Sequence, residues 1–251
     1  MAKQKGIIKL IGKVDDFAFY KSQDGYLARG KGGVDASRIA NDPAFQRTRE
    51  NGAEFGTAGK AGKILRSAIR ALVQNAADNR MVSRLTREMV KVVKADITNP
   101  RGQRNVIDGE AELLEGFDFN IRGKLGTTVF ATYNAKINRD TGAMTVSISS
   151  FVPVNMIAAP SGATHYKISM ACAEVDFQNE KFVVDVKETA QLPLDNVATG
   201  DIELAGVVPA NSTHPLFIAL GIEFYQDVNG VKYPMKNGAY NSLALVKVNG
   251  L

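Results

Sequence analysis

From Thr127 onward the chain alternates apolar and polar residues with a period of two, the signature of strands that bury one face. The runs are Thr127–Ile137 (TTVFATYNAKI), Met144–Phe151 (MTVSISSF), Tyr166–Phe177, Lys181–Val186, Leu216–Val228, Val231–Tyr233 and Tyr240–Val248. Turn formers separate them: Asp140-Thr141-Gly142, Gln178-Asn179-Glu180, Asn229-Gly230 and Asn237-Gly238. Asn-Gly between alternating runs is a strong hairpin signal, because both residues tolerate the positive φ of a tight turn. About seven strands with regular turns predict an antiparallel Ig-like β-sandwich over residues 107–251. The pattern does not specify the strand order.

Upstream of Asn99-Pro100-Arg101-Gly102 the pattern differs. Residues 1–40 read as a basic extended arm or hairpin. Ile7–Ile11 (IIKLI), Phe17–Tyr20 and Tyr26–Arg29 are short β-prone runs, with a turn at Gln23-Asp24-Gly25 and a flexible break at Lys31-Gly32-Gly33. Residues 41–106 read as a basic helical region. Asp42-Pro43 is a helix start, and apolar residues at helical spacing predict a helix over residues 44–74, with a break allowed near Gly52. A second helix is expected over residues 80–93, giving a helical hairpin. The fold class is therefore α+β, an N-terminal arm and helical hairpin followed by the sandwich.

Charge is unevenly placed. Residues 1–106 hold 21 Lys+Arg against 10 Asp+Glu, whereas residues 107–251 hold 10 against 16. Such a split fits a polyanionic partner or a basic half that docks on an acidic one. The basic surface comprises Arg66, Arg70, Arg84, Arg87, Lys91 and Lys94, and the acidic counter-surface Glu110, Glu112, Glu115 and Asp118.

The stretch RTRENGAEFGTAGKAGKILR (residues 47–66) carries four glycines within a helical pattern. A phosphate loop is excluded: Gly56 to Gly62 is one residue too long, and Ile64 stands where Ser or Thr would bind magnesium. Each helical glycine costs about 0.8–1 kcal/mol relative to alanine, so the glycines call for a compensating close contact. Arg47, Arg49, Gly52, Phe55, Gly56, Gly59, Lys60, Gly62 and Lys63 are accordingly expected at a subunit interface; the alternative is packing on the chain's own β-domain.

Catalytic signatures are missing from the pattern. Cys172, the sole cysteine, sits in a strand-like run and reads as a buried thiol, and His165 and His214 have no ligand-spaced neighbours. No catalytic residue, metal, cofactor or small-molecule substrate is assigned. No apolar run reaches the roughly 18 residues of a membrane span, and the N-terminus lacks an export signal, so a cytoplasmic product is the default, with signal-less release compatible.

FYKSQDGYLARGKGGVDASRIANDPAFQRTRENGAEFGTAGKAGK (residues 19–63) resembles the N-terminal signature of a group of uncharacterised Bacteroidota proteins, and residues 221–248 are similar to their C-terminal part. The resemblance implies a bacterial origin and a recurring arm–helix–β architecture, and no activity. The function expected is a structural, self-assembling subunit (filament, tube or ring) whose partner is itself. The alternatives are non-specific nucleic-acid binding through the same basic helices and an enzyme with an unrecognised site.

Overall fold

Turn chemistry builds the N-terminal unit of this computed structural model, which describes residues 2–30, 33–235 and 238–250. The chain divides into two units between Arg49 and Glu50. In the first, β1 (Ala2–Lys3), β2 (Gly12–Val14), β3 (Phe17–Ser22) and β4 (Gly25–Gly30) form an antiparallel sheet in the order β1-β4-β3-β2. Gly25, at φ +103°, closes the β3–β4 turn. Helix α1 (Ala36–Asn41) starts at Asp35, whose side chain accepts from Ser37 N at 2.7 Å. Asp42 likewise caps a 3-10 turn, Pro43–Phe45, by accepting from Ala44 N. Lys31 and Gly32 of the expected break lie outside the described residues.

The strand expected at Ile7–Ile11 is not formed. The Gln4 amide satisfies both backbone groups of Leu10 (2.9 and 3.2 Å), so this stretch is a stapled loop with no strand partner. Its apolar side chains point outward. Leu27 is the one buried hydrophobic residue among residues 2–49 as described.

The second unit begins within α2 (Gln46–Ala68), followed by α3 (Arg70–Val73) and α4 (Met81–Ala95). The helix continues through Gly52 and breaks instead at Ile69 (φ −100°, ψ 26°). Short α5 (Leu125–Thr128) then precedes β5 (Tyr133–Asn138) and β6 (Ala143–Ile148). The strand expected from Thr127 therefore starts later, because Thr127 and Thr128 hydroxyls both donate to Lys124 O and close a helical turn. After α6 (Pro153–Met156) come β7 (His165–Asp176), β8 (Lys181–Glu188), β9 (Leu192–Pro193), β10 (Ile202–Val207), β11 (Leu216–Val228), β12 (Val231–Pro234) and β13 (Ser242–Asn249). Asn237, of the last expected turn, lies outside the described residues.

All pairings are antiparallel. One sheet runs β10-β6-β5; the larger runs β12-β11-β7-β8, with β13 also on β11 and β9 on β7. Long β7 and β11 are buried on both faces, and the period of two sorts their side chains. Ile168, Met170 and Cys172 of β7 with Ile218, Leu220 and Ile222 of β11 share a core with Met144, Val146 and Ile148 of β6 and Leu204 of β10. The opposite face, Ala171, Ala173, Val175, Phe217 and Ala219, packs with Ala58, Ala61 and Leu65 of α2 and Leu85 and Met89 of α4. Residues 50–106 are thus not a unit of their own: their apolar face is half of a core whose other half is the sheet.

The connection after α4 is organised by Asp96, which has no accessible surface. Its carboxylate accepts from Thr98 N, Asn99 N, Asn105 N and Asn99 Nδ2 at 2.8–3.0 Å. Burial acts to raise its pKa, but these hydrogen bonds together outweigh it and hold the pKa below the usual carboxylate value. A depressed folded pKa contributes stability that is present above the unfolded value of about 3.9 and is lost as pH falls through the folded pKa. Asp96→Ala is expected to lose about 2–4 kcal/mol at pH 7 through four unmet donors. Thermal melts at stepped pH should show the gap to the parent narrowing below about pH 4; a constant gap would contradict this role.

Candidate interaction surfaces

Helix α2 has two unlike faces, and its glycines divide between them. Ala58, Ala61, Gly62 and Leu65 point inward. A Cβ on Gly62 would meet Leu85 Cγ at 3.6 Å and Met89 Cγ at 3.9 Å, so Gly62 serves the α2–α4 crossing within the chain. Gly52, Gly56 and Gly59 face away, with nothing within 4 Å of an added Cβ, and Phe55 beside them is 62% exposed. Of the four glycines expected at a close contact, Gly62 faces a neighbouring element, within the chain and at distances that would also admit an alanine.

The start of the helix is tied to the loop after Pro100. Gly102 N donates to the buried Glu54 carboxylate at 2.9 Å, and Arg101 meets Asn51 at 2.8 Å and Glu50 at 3.5 Å. Gly102 has φ +89°, and a Cβ there would stand 3.2 Å from Glu50 Cα, so backbone conformation and close approach both require glycine.

Much of the basic surface is already engaged. Arg49 donates to Ile39 O and Asp42 O, at the end of α1, and Arg47 also has a partner. Arg66 reaches back to Gly62 O. Arg84 pairs with Asp78, donates to Asp118 O at 2.7 Å and Phe119 O at 3.1 Å, and lies over the Phe117 ring. Arg87 and Lys91 share Glu88 at 2.9 and 2.5 Å, and these bonds, Lys91's foremost, lower the Glu88 pKa. Lys63, Arg70 and Lys94 are solvent-exposed, and Lys60 lines a depression of about 460 Å³ with Thr57, Asp108, Phe177 and Glu180.

The acidic residues are structural in the same sense. Glu112 accepts from Gly250 N at 2.6 Å, and Glu115 accepts from Lys247 Nζ and Val248 N, so both hold the last strand. Asp118 accepts from Leu125 N, and partial burial pushes its pKa up. Glu110 is exposed. The basic helix and the acidic segment do meet, through Arg84, inside one chain. Arg139 completes the tie at the C-terminus, donating to Ser212 O, His214 O and Asn249 O at 2.7–2.9 Å.

Two further features were not singled out by sequence. Glu174, Asp176 and His214 line a pit of about 480 Å³ beside Lys181, Phe182 and Val183. Ser212 Oγ donates to Glu174 at 2.5 Å and accepts from His214 N at 3.1 Å, so the hydroxyl is held between a carboxylate and a backbone amide rather than by the imidazole. The other is β8 itself, where Phe182, Val183 and Val184 are exposed in succession. Three consecutive apolar residues beside the Gln178-Asn179-Glu180 turn were the available signal. Burial pushes the Cys172 thiol up to about 12, and His165 Nδ1 sits 3.0 Å from the Thr164 hydroxyl. Among the described residues no group of three His, Cys, Asp or Glu side chains is placed to hold a metal, and no helix is long and apolar enough to cross a membrane. No protein-family model, curated protein or solved structure matches this chain.

Proposed function

We propose that the protein is a structural subunit that assembles with copies of itself, the N-terminal unit of one copy docking on a neighbour. The observation that carries this reading is a sheet with no core. Among residues 2–49 as described only Leu27 is buried, at 8% exposure, while Ile7, Ile8, Leu10, Ile11, Val14 and Phe17 are exposed. A small sheet does not hold its fold on strand pairing alone, and clustered exposed apolar residues mark an interaction surface. Residues 1–49 carry 10 Lys+Arg against 5 Asp+Glu, a balance of +5, which favours a partner with acidic groups. The outward stripe Gly52, Gly56 and Gly59 adds a second place where a neighbouring backbone comes close.

Head-to-tail docking of this kind is heterologous and closes into rings or propagates into filaments or tubes. We also infer that the body is an Ig-like sandwich whose larger sheet carries an added helical layer, a reading supported by the core shared between the two sheets. Nucleic-acid binding is the rival function. It draws on the exposed Lys63, Arg70 and Lys94, and is weakened because Arg84, Arg87 and Lys91 already face carboxylates.

Electron microscopy of the purified protein tests the proposal. Rods, tubes or rings are expected without added nucleic acid. A monodisperse monomer at high concentration overturns it, and a salt-sensitive mobility shift with DNA or RNA would favour the rival.

A further inference from the structure

The edges of the two sheets in the second unit are unequally protected. The outer side of β13 is covered by residues 116–119, with Gly116 N on Leu245 O at 2.7 Å and Phe119 N on Leu243 O at 2.8 Å. β12 and β9 are short and contain Pro234 and Pro193. β5 turns Asn134, Lys136 and Asn138 outward, and β10 carries an exposed Glu203. Short strands, prolines and outward charges are the usual means of blunting an edge. β8 has little of this over its first half. It is eight residues long and, among the described residues, pairs as a strand with β7 alone, β10 reaching it through Val207 N on the Asp185 carboxylate at 3.0 Å. Phe182 and Val183 are 41% and 46% exposed, with Val184 beside them.

The sequence of this edge, Lys181-Phe182-Val183-Val184-Asp185, complements itself when reversed. With a two-fold axis through Val183, Lys181 stands opposite Asp185 of the second copy and Phe182 opposite its Val184. The first is an opposite-charge pair and the second an aromatic–β-branched pair, the cross-strand combinations that stabilise an antiparallel ladder. Neighbouring registers do worse. One step toward the C-terminus sets Phe182 against Asp185, and two steps set Lys181 against Lys187. One step the other way sets Glu180 against Asp185. Register is thus specified by the residues themselves.

We propose that β8 is a two-fold interface, pairing antiparallel with β8 of a second copy to join two larger sheets into one. Lys181, Val183 and Asp185 lie on the face of Glu174 and Asp176, since β8 registers Val183 opposite Glu174 and Lys181 opposite Asp176 of β7. The second copy therefore brings another Lys181 to a surface holding three carboxylates, Glu174, Asp176 and Asp185, against its own Lys181, Lys187 and His214. Phe182 and Val184 are covered on the opposite face. This contact uses none of the arm residues, so it goes beyond head-to-tail docking and stands or falls separately from it.

The test is Val183→Cys in the full chain, treated with a short thiol-to-thiol crosslinker. Residues directly opposite on an antiparallel pair have Cβ atoms about 4.5–5.5 Å apart, within reach of such a linker. The native Cys172 has no accessible surface and stays silent. Most of the protein is expected to become covalent dimer, whereas Val197→Cys, at a more exposed loop position, stays monomeric. Equal dimer from the two variants overturns the proposal. So do links that form only when Ile8→Cys is also present, because they assign the edge to the arm. As a second reading, Lys181→Glu is expected to weaken the dimer at least tenfold in sedimentation, and no change would count against the register. Dimers without rods, tubes or rings would leave this interface standing and remove the self-assembly reading.

Discussion

Full-length protein carrying Ile8→Asp and Leu10→Asp is expected to stay folded and to lose every regular assembly. Both side chains are exposed, so polar replacement should change stability by no more than about 0.5 kcal/mol. In an assembly the same positions would lie in an apolar contact, where an unpaired carboxylate costs several kcal/mol. Electron microscopy alongside a thermal melt separates the two effects. An unchanged melt with no rods, tubes or rings supports the arm as the docking element. Normal assembly by this variant would leave the arm without a role in it.

The second large effect is a contrast between two glycines of one helix. Gly62→Leu drives side-chain atoms into Leu85 and Met89 at the α2–α4 crossing. Overpacking of this kind costs about 1–3 kcal/mol, and each kcal/mol lowers the melting temperature of a unit this size by roughly 2–4 °C. Gly56→Leu meets no neighbour and removes a glycine from a helix, so the isolated chain should be unchanged or more stable by up to about 1 kcal/mol. If the outward stripe is a contact between copies, Gly56→Leu should nonetheless block assembly. Gly62→Leu should lower stability first and assembly only through it. A Gly56→Leu protein that assembles normally would leave Gly52, Gly56 and Gly59 with no compensating contact.

The strand periodicity carried most of what the β region became, because alternation is enforced wherever one face is buried: Leu216–Val228 has the same bounds in sequence and structure. It misled where a local hydrogen bond competes, as with the Thr127 and Thr128 hydroxyls, and where a side chain substitutes for a strand, as Gln4 does at Leu10. β10 was missed because its pattern, Ile-Glu-Leu-Ala-Gly-Val, is short and carries a glycine near its end. Charge composition marked a basic helix and an acidic segment but could not show that Arg84 already joins them, through the carbonyls of Asp118 and Phe119. Counts of charges hold no distances, and the ion pairs of Glu88 and Asp78 depend on helix phase and on a loop returning from residue 118.

Gly206 has a consequence beyond packing. It stands over Cys172, where an added Cβ would come within 2.7 Å of Sγ, and the thiol has no accessible surface. The chain's only sulfhydryl is sealed beneath a residue too small to be replaced without displacement. The folded chain is thereby closed to thiol chemistry: Cys172 offers no handle for a disulfide in either an oxidising or a reducing milieu. Under the self-assembly proposed above, folded copies would then be joined without disulfides, so dilution or salt would test their contacts and a change of thiol potential would not.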